Sequence, residues 1–526
     1  MFPFDLAGIN PVNRLVEPQT PFWRHILLVA LFVSSLWFSW NAHLAANYWF
    51  PVPWPDEACW GWQSIAMAEG RGLFTPQLNS ERVIWWMPPG FFVVMGGIYR
   101  IFGFTFEHMR WTSWVFITLW GTILFIWTGR KYKRFEISLL VLCFSLNSFC
   151  VVAGNMGRME ALLLLTTLSG YWMMDEQKLG VGLALLIVSP LVHPAGVVYA
   201  ALGLLAFYVN HLKGFRFHNF RWWDWIALIL AAGAWIAYIL AFVPHLADYV
   251  ADMGYQFAAH HKMLTGGPAR SSAVDPIWLF LRSLLLKRHN MHVAAYIVLG
   301  ACLLPKYNKK EIKTDVYLWG FGLSGVLVRM AGAEMWYEAY AAAGILIWFI
   351  LFLNKVALYI DLTKWPAALR RVARTTAFLG VVAILFQANF LPNPFGYPKG
   401  LKWWAWDLKP RGVYLTQEDV ASVAEELDRV IYGLNAVTRI RHIPAADGLI
   451  FYQYQPKLGI AHFPVFSKRV AQYELVHLYP EPWVSDLSEL PVGIESWPNA
   501  RKLFQRDGHS WYLVEKAAAK EPHDAK

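Results

Sequence analysis

Long apolar runs broken by short polar clusters fill the first three-quarters of the chain, and the pattern stops near Leu391. Runs that can cross a bilayer as helices, roughly 17 to 25 residues each, lie near 26–46, 111–129, 136–153, 225–243, 290–304, 315–331, 339–353 and 375–392. Shorter runs at 161–174, 179–192 and 195–209 complete eleven expected spans. The stretch 88–103 opens with Pro88-Pro89-Gly90 and carries Arg100 near its end, which predicts a helix lying in the interface and not a span. Beyond Pro392-Asn393-Pro394 the apolar runs give way to Asp, Glu, Gln and Pro. Thr416-Gln417-Glu418-Asp419 reads as a capped helix start, and 448–454 and 509–514 read as strands. The expected organisation is therefore a polytopic α-helical membrane domain over 1–392 and a small α/β domain over 393–526.

Composition agrees with this pattern. Hydrophobic residues make up 57% of the chain and charged residues only 16%, against about 25% in soluble domains. Twenty-nine Trp and 23 Tyr suit a chain with many membrane–water boundaries. The net charge of +10 raises the question of nucleic acid, but its distribution answers it. With a cytoplasmic N-terminus and alternating spans, the inner segments hold 19 Lys and Arg against 10 in the outer loops, as the positive-inside rule requires. No nucleic-acid partner is implied. The first apolar run lacks a small-residue cleavage site and is expected to remain as a span.

This parity puts every long loop on one face: 47–110, 244–289 and the region after 393 are all outside, with turns at 154–160, His193 and 332–338. Loops beyond about 12 to 15 residues are usually functional. The expected arrangement is thus a multi-pass membrane protein with its long loops and C-terminal domain extracytoplasmic. Cys143, Cys150 and Cys302 fall in apolar runs and only Cys59 lies in a loop, so no disulfide framework is implied.

Several outer-face clusters carry candidate chemistry. Asp56-Glu57 could supply a general base together with a group that orients it or binds a cation, or could cap a helix beginning near Ala58. In Gly157-Arg158-Met159-Glu160, Arg158 could hold a phosphate with Glu160 facing the same cavity, or could sit at the interface with Glu160 at a helix start. His193 could donate to a phosphate or be structural. The loop 244–289 offers His260, His261, Lys262 and Arg270 for an anionic headgroup. The adjacent histidines lack the spacing of a helical zinc pair, and no protein-bound metal is expected. Arg82 lies in the first outer loop, and Glu334 and Tyr337 in another outer turn. Arg221-Trp222-Trp223-Asp224-Trp225 resembles the WWD signature of oligosaccharyltransferases, but parity puts it inside, and the match reads as coincidence.

The order of these features resembles the C-type membrane glycosyltransferases. A first span is followed by Asp56-Glu57, an amphipathic stretch around Trp86-Met87-Pro88-Pro89-Gly90, Arg158-Met159-Glu160, His193-Pro194-Ala195-Gly196, a long outer loop and Trp336-Tyr337. Within it the chain resembles protein O-mannosyltransferases and the bacterial aminoarabinose transferase of lipid A, over about residues 20–395. The resemblance implies an acid near the acceptor, carried to Asp56 with Glu57 beside it, and a second acid at Glu160. The family often has Lys or Arg before the Pro-Pro pair, contacting the donor phosphate. Here Met87 stands there, so the charge falls to Arg82, Arg158, Lys262 or Arg270, with His193 and His261 as further donors and Glu334 and Tyr337 toward the acceptor or sugar.

The expected activity is transfer of a sugar from a polyprenyl-phosphate carrier to a hydroxyl of a lipid, glycan or protein acceptor on the outer face, with inversion. No resident cofactor is required, and a divalent cation is the one addition the acidic pair would accommodate. The alternative is a transporter or flippase of lipid-linked substrates, which should show inverted repeats or interrupted spans with midplane charges. The acids here cluster at outer ends, and no repeat is visible.

Overall fold

The structure, a computed structural model, describes residues 55–75, 78–79, 82–85, 87–132, 137–138, 153–154, 157–211, 220–254, 309–331, 337–359, 440–443, 473–478, 494–506 and 509–515, with isolated positions elsewhere. Its helices are α1 (Pro55–Ala68), α2 (Gly90–Phe102), α3 (Phe106–Tyr132), α4 (Met159–Asp175), α5 (Leu179–Val192), α6 (Gly196–His211), α7 (Trp222–Phe242), α8 (Lys309–Ala331) and α9 (Glu338–Tyr359). The expected spans at 26–46, 136–153, 290–304 and 375–392 lie outside the described residues, isolated positions apart.

Local sequence explains the helix ends. Pro55 opens α1, where a missing N–H costs nothing, and Asp56 and Glu57 fall in the first turn, where carboxylates complement the helix dipole. The acidic pair is thus inside a helix that starts three residues earlier than expected. Just past α1, Gly70 takes φ +77°. Pro190 sits in the last turn of α5, His193 turns extended, and α6 begins at Gly196. Gly196 is packed against the backbone of Ser189, where a Cβ would collide, and Gly203 faces Leu186. The two short helices therefore form an antiparallel hairpin and do not merge into one.

Other contacts fix the remaining directions. Met109 meets Gly157 at one end and Trp127 meets Asp175 at the other, so α3 and α4 run parallel. Asp224 reaches Val181 while Trp235 reaches Ile187, so α5 and α7 are parallel as well. His211 to Tyr317 and Tyr199 to Phe321 make α6 and α8 antiparallel. Gly325 against Tyr340 and Gly322 against Trp348 do the same for α8 and α9. These directions match the alternation expected from hydropathy.

Among the described residues, two helical runs are long and apolar enough to cross a membrane, Glu107–Tyr132 and Trp222–Gly254; Gly90–Phe102, Leu179–Val192, Gly196–His211 and Ala339–Trp348 are shorter apolar helices. The second run outlasts the expected span 225–243, passing through a 3-10 turn at Val243–His245. Ile229, Leu230, Ile236 and Leu240 stand exposed along it.

Of the C-terminal elements expected from sequence, only the strand at 509–514 falls among the described residues. Strands β1 (Ile440–Ile443), β2 (Tyr473–Leu478), β3 (Ala500–Arg506) and β4 (His509–Glu515) form one sheet in the order β1-β2-β4-β3. Only β1–β2 is parallel. Along β4 the side chains alternate: Trp511 and Leu513 join the apolar cluster of the helices, while Tyr512 and Val514 pack with Ile494.

Candidate active site

Helix directions collect the N-terminal ends of α2, α4, α6 and α9 and the C-terminal ends of α5 and α8 at one end of the bundle. Gly90 opens α2 against the Leu191 carbonyl, too close for any side chain, which brings Pro88-Pro89-Gly90 beside the His193 turn. Trp60 stacks near Phe92 with centroids 6.0 Å apart, and Gly96 faces Ser64 and Met67, so α1 and α2 run parallel. The first turn of α1, with Asp56 and Glu57, therefore points toward this same end.

The centre of this end is a buried ion pair. Arg158, extended at the cap of α4, reaches over the first turn to Glu160: Nε donates to both carboxylate oxygens at 3.2 Å and Nη2 to Oε1 at 3.0 Å. Both side chains are buried. Such a pair is retained at a desolvation cost of several kcal/mol per ion, and a buried charged pair of this kind at the end of a bundle is a candidate functional site. His193 lies within electrostatic reach of Glu160. Its Nδ1 accepts the Ala195 backbone N–H at 3.1 Å, which leaves the imidazole proton on Nε2. Tyr337 meets His193 edge-on, with centroids 6.0 Å apart.

Of the expected site residues, Glu160, Arg158, His193 and Tyr337 are thus brought together. Arg82 has a different neighbourhood. Its guanidinium grips Asp252 through two bonds of 2.9 and 2.6 Å, with Asp248 at 3.6 Å, and Asp252 also accepts the Trp85 N–H at 2.8 Å. Trp85 packs on Leu191 and Tyr238, so this latch ties the loop before α2 to the extension of α7. The side chains of Asp56 and Glu57, and all of His261, Lys262, Arg270 and Glu334, lie outside the described residues. Among the described residues, no three His, Cys, Asp or Glu side chains gather as a metal site would need.

Tyr340 and Tyr199 were not legible in the sequence as site residues. Both are fully buried, with ring centroids 6.3 Å apart, and Tyr340 also faces His193 at 6.2 Å and Tyr337 at 5.8 Å. The available signal was spacing: Tyr337 and Tyr340 are three residues apart at the start of a helix and share a face. Buried Arg329 adds a cation to the same end, one turn past Gly325, which abuts the Tyr340 carbonyl.

The opposite end is built differently. Lys131 donates to both oxygens of Asp175 at 3.0 and 2.8 Å and to the Thr314 carbonyl, and Trp127 Nε1 donates to Asp175 at 2.7 Å. Tyr132 donates to Asp315 at 2.9 Å. His211 pairs with Tyr317 at 3.1 Å, and burial, with Lys313 close by, holds the imidazole below the ordinary histidine range. Asp224 accepts the Arg221 and Val181 N–H groups at 3.0 Å each, capping α7 and α5 at once. A helix cap, not a catalytic signature, accounts for the Trp-Trp-Asp sequence.

Neither a family model nor a curated protein matches the chain. Two solved structures are similar to it over nearly its whole length. The crystal structure of ArnT from Cupriavidus metallidurans in the apo state is 13% identical with a TM-score of 0.47, covering 93% of this chain and 98% of that one. The crystal structure of ArnT from the same organism bound to undecaprenyl phosphate is 12% identical with a TM-score of 0.46, covering 94% and 98%.

Proposed function

We propose that this chain is an integral-membrane glycosyltransferase that moves a sugar from a polyprenyl-phosphate carrier to an acceptor hydroxyl at the outer face of the cytoplasmic membrane. The observation that carries this reading is the buried Arg158–Glu160 pair with His193 beside it, at the bundle end where the first turn of α1 also lies. Cations and N–H donors suit a phosphate, a carboxylate pair suits a hydroxyl proton, and lipid-exposed helices suit a donor with an isoprenoid tail. No nucleotide-sugar pool exists outside the membrane, which is why the donor is read as a lipid.

In the proposed reaction Asp56 takes the acceptor hydroxyl proton as that oxygen attacks the anomeric carbon. The bond from that carbon to the phosphate oxygen breaks, and the lipid phosphate leaves with the bonding pair. Attack opposite the leaving group inverts the centre. Charge grows on the departing phosphate, where Arg158 and His193 act with most effect. Glu160 orients Arg158 and offsets its charge, and Glu57 holds Asp56 or the acceptor. Arg82 is read here as a latch on Asp252, and Lys262, Arg270 and His261 are proposed to meet the headgroup from the outer loop, with Glu334 and Tyr337 toward the sugar or acceptor.

Asp56→Asn tests the base. In proteoliposomes supplied with a lipid-linked sugar, transfer should fall by about 10²- to 10⁴-fold with thermal stability unchanged. Undiminished turnover would remove Asp56 from the mechanism.

A further inference from the structure

Tyr340 is buried to the last atom at the end of the bundle that holds Arg158 and Glu160, and its hydroxyl has no hydrogen-bond partner among the described residues. The Tyr199 hydroxyl behind it is in the same state. Tyr171, buried next to Tyr199, has what they lack: its Oη donates to the Tyr199 carbonyl at 2.8 Å and meets Ser324 Oγ at 3.2 Å. A buried hydroxyl left unpaired costs free energy in the empty protein. That cost is recovered when something binds.

The surroundings of Tyr340 specify what binds. Glu160 and Arg158 are within electrostatic reach of the phenol, and the rings of His193, Tyr337 and Tyr199 stand around it. Glu160 is the acceptor nearby, yet it takes its bonds from Arg158, and the phenol makes none to it. A guanidinium, an imidazole and a phenol O–H can all donate, and the residues that carry them are brought together from α4, the α5–α6 turn and α9. Their common complement is an anion with several oxygens.

We propose that the Tyr340 hydroxyl donates a hydrogen bond to a phosphate oxygen of the lipid-linked donor, on the same group that Arg158 and His193 contact. This assignment rests on the donor reading above. No bond to Tyr340 forms or breaks in transfer, and the phenol keeps its proton. Its value lies in being fixed before the phosphate gains charge, since a dry, preset donor needs no reorganisation as the sugar departs.

Tyr340→Phe removes only an oxygen that bonds nothing among the described residues, so the fold should lose no stability. Undecaprenyl phosphate, titrated into the purified full chain in detergent and followed by native mass spectrometry, should bind Y340F about tenfold more weakly or worse, at an unchanged or higher Tm. Equal affinity in both proteins would overturn the role of Tyr340 and leave the donor reading standing, whereas no binding to the wild-type chain would overturn both. If Y340F loses Tm, the wild-type fold carries the test: 3-fluorotyrosine at position 340 should shift its ¹⁹F resonance on adding the lipid phosphate, and an unmoved signal would overturn the proposal.

Discussion

The two ends of the helical bundle use similar side chains to opposite effect. At one end Lys131, Asp175, Trp127, Tyr132 and Asp315 close a network in which each polar group meets another from the protein. At the other, Arg158 and Glu160 pair with each other while the phenols of Tyr199 and Tyr340 find no hydrogen-bond partner among the described residues. A closed network binds helices together. An incomplete one in the same apolar surroundings is an arrangement waiting for a ligand, because nothing else compensates the buried oxygen.

Breaking each network separately should expose this difference. The largest expected effect is at the buried pair: Arg158→Met leaves the Glu160 carboxylate uncompensated and should cost about 3–5 kcal/mol, seen as a large fall in Tm together with loss of transfer. Adding Glu160→Gln should return most of the stability and none of the transfer. Recovery of both would mean that the pair is structural only. A smaller effect is expected at the closed end, where Asp175→Asn weakens the bonds from Lys131 and Trp127. It should cost about 2–3 kcal/mol in thermal unfolding while leaving the affinity for a polyprenyl phosphate unchanged. A parallel loss of affinity would erase the distinction between the ends.

Much of the scaffold was legible in the sequence because its signals are local. The runs 161–174, 179–192 and 195–209 are bounded by charge, Pro and Gly, and they fold as α4, α5 and α6 nearly residue for residue. The alternation in 509–514 likewise gave β4. The candidate site was legible only where its chemistry is written in neighbouring residues, as in Arg158-Met159-Glu160. Contacts made across the chain were not. Arg82 reads as a free outer cation until the fold brings Asp252 to it from 170 positions away. Tyr340, in an alanine-rich run, reads as one more apolar-face residue until packing buries it beside Glu160 with its hydroxyl unpaired.

The most direct test uses one histidine from each end, since His193 stands in the open network and His211 in the closed one, and neither is a partner in the ion pairs described. Undecaprenyl phosphate binding is measured by native mass spectrometry for His193→Ala and His211→Ala at matched pH. The account predicts about tenfold weaker binding or worse for the first and wild-type affinity for the second. Equal affinities, or a loss confined to His211→Ala, would contradict it.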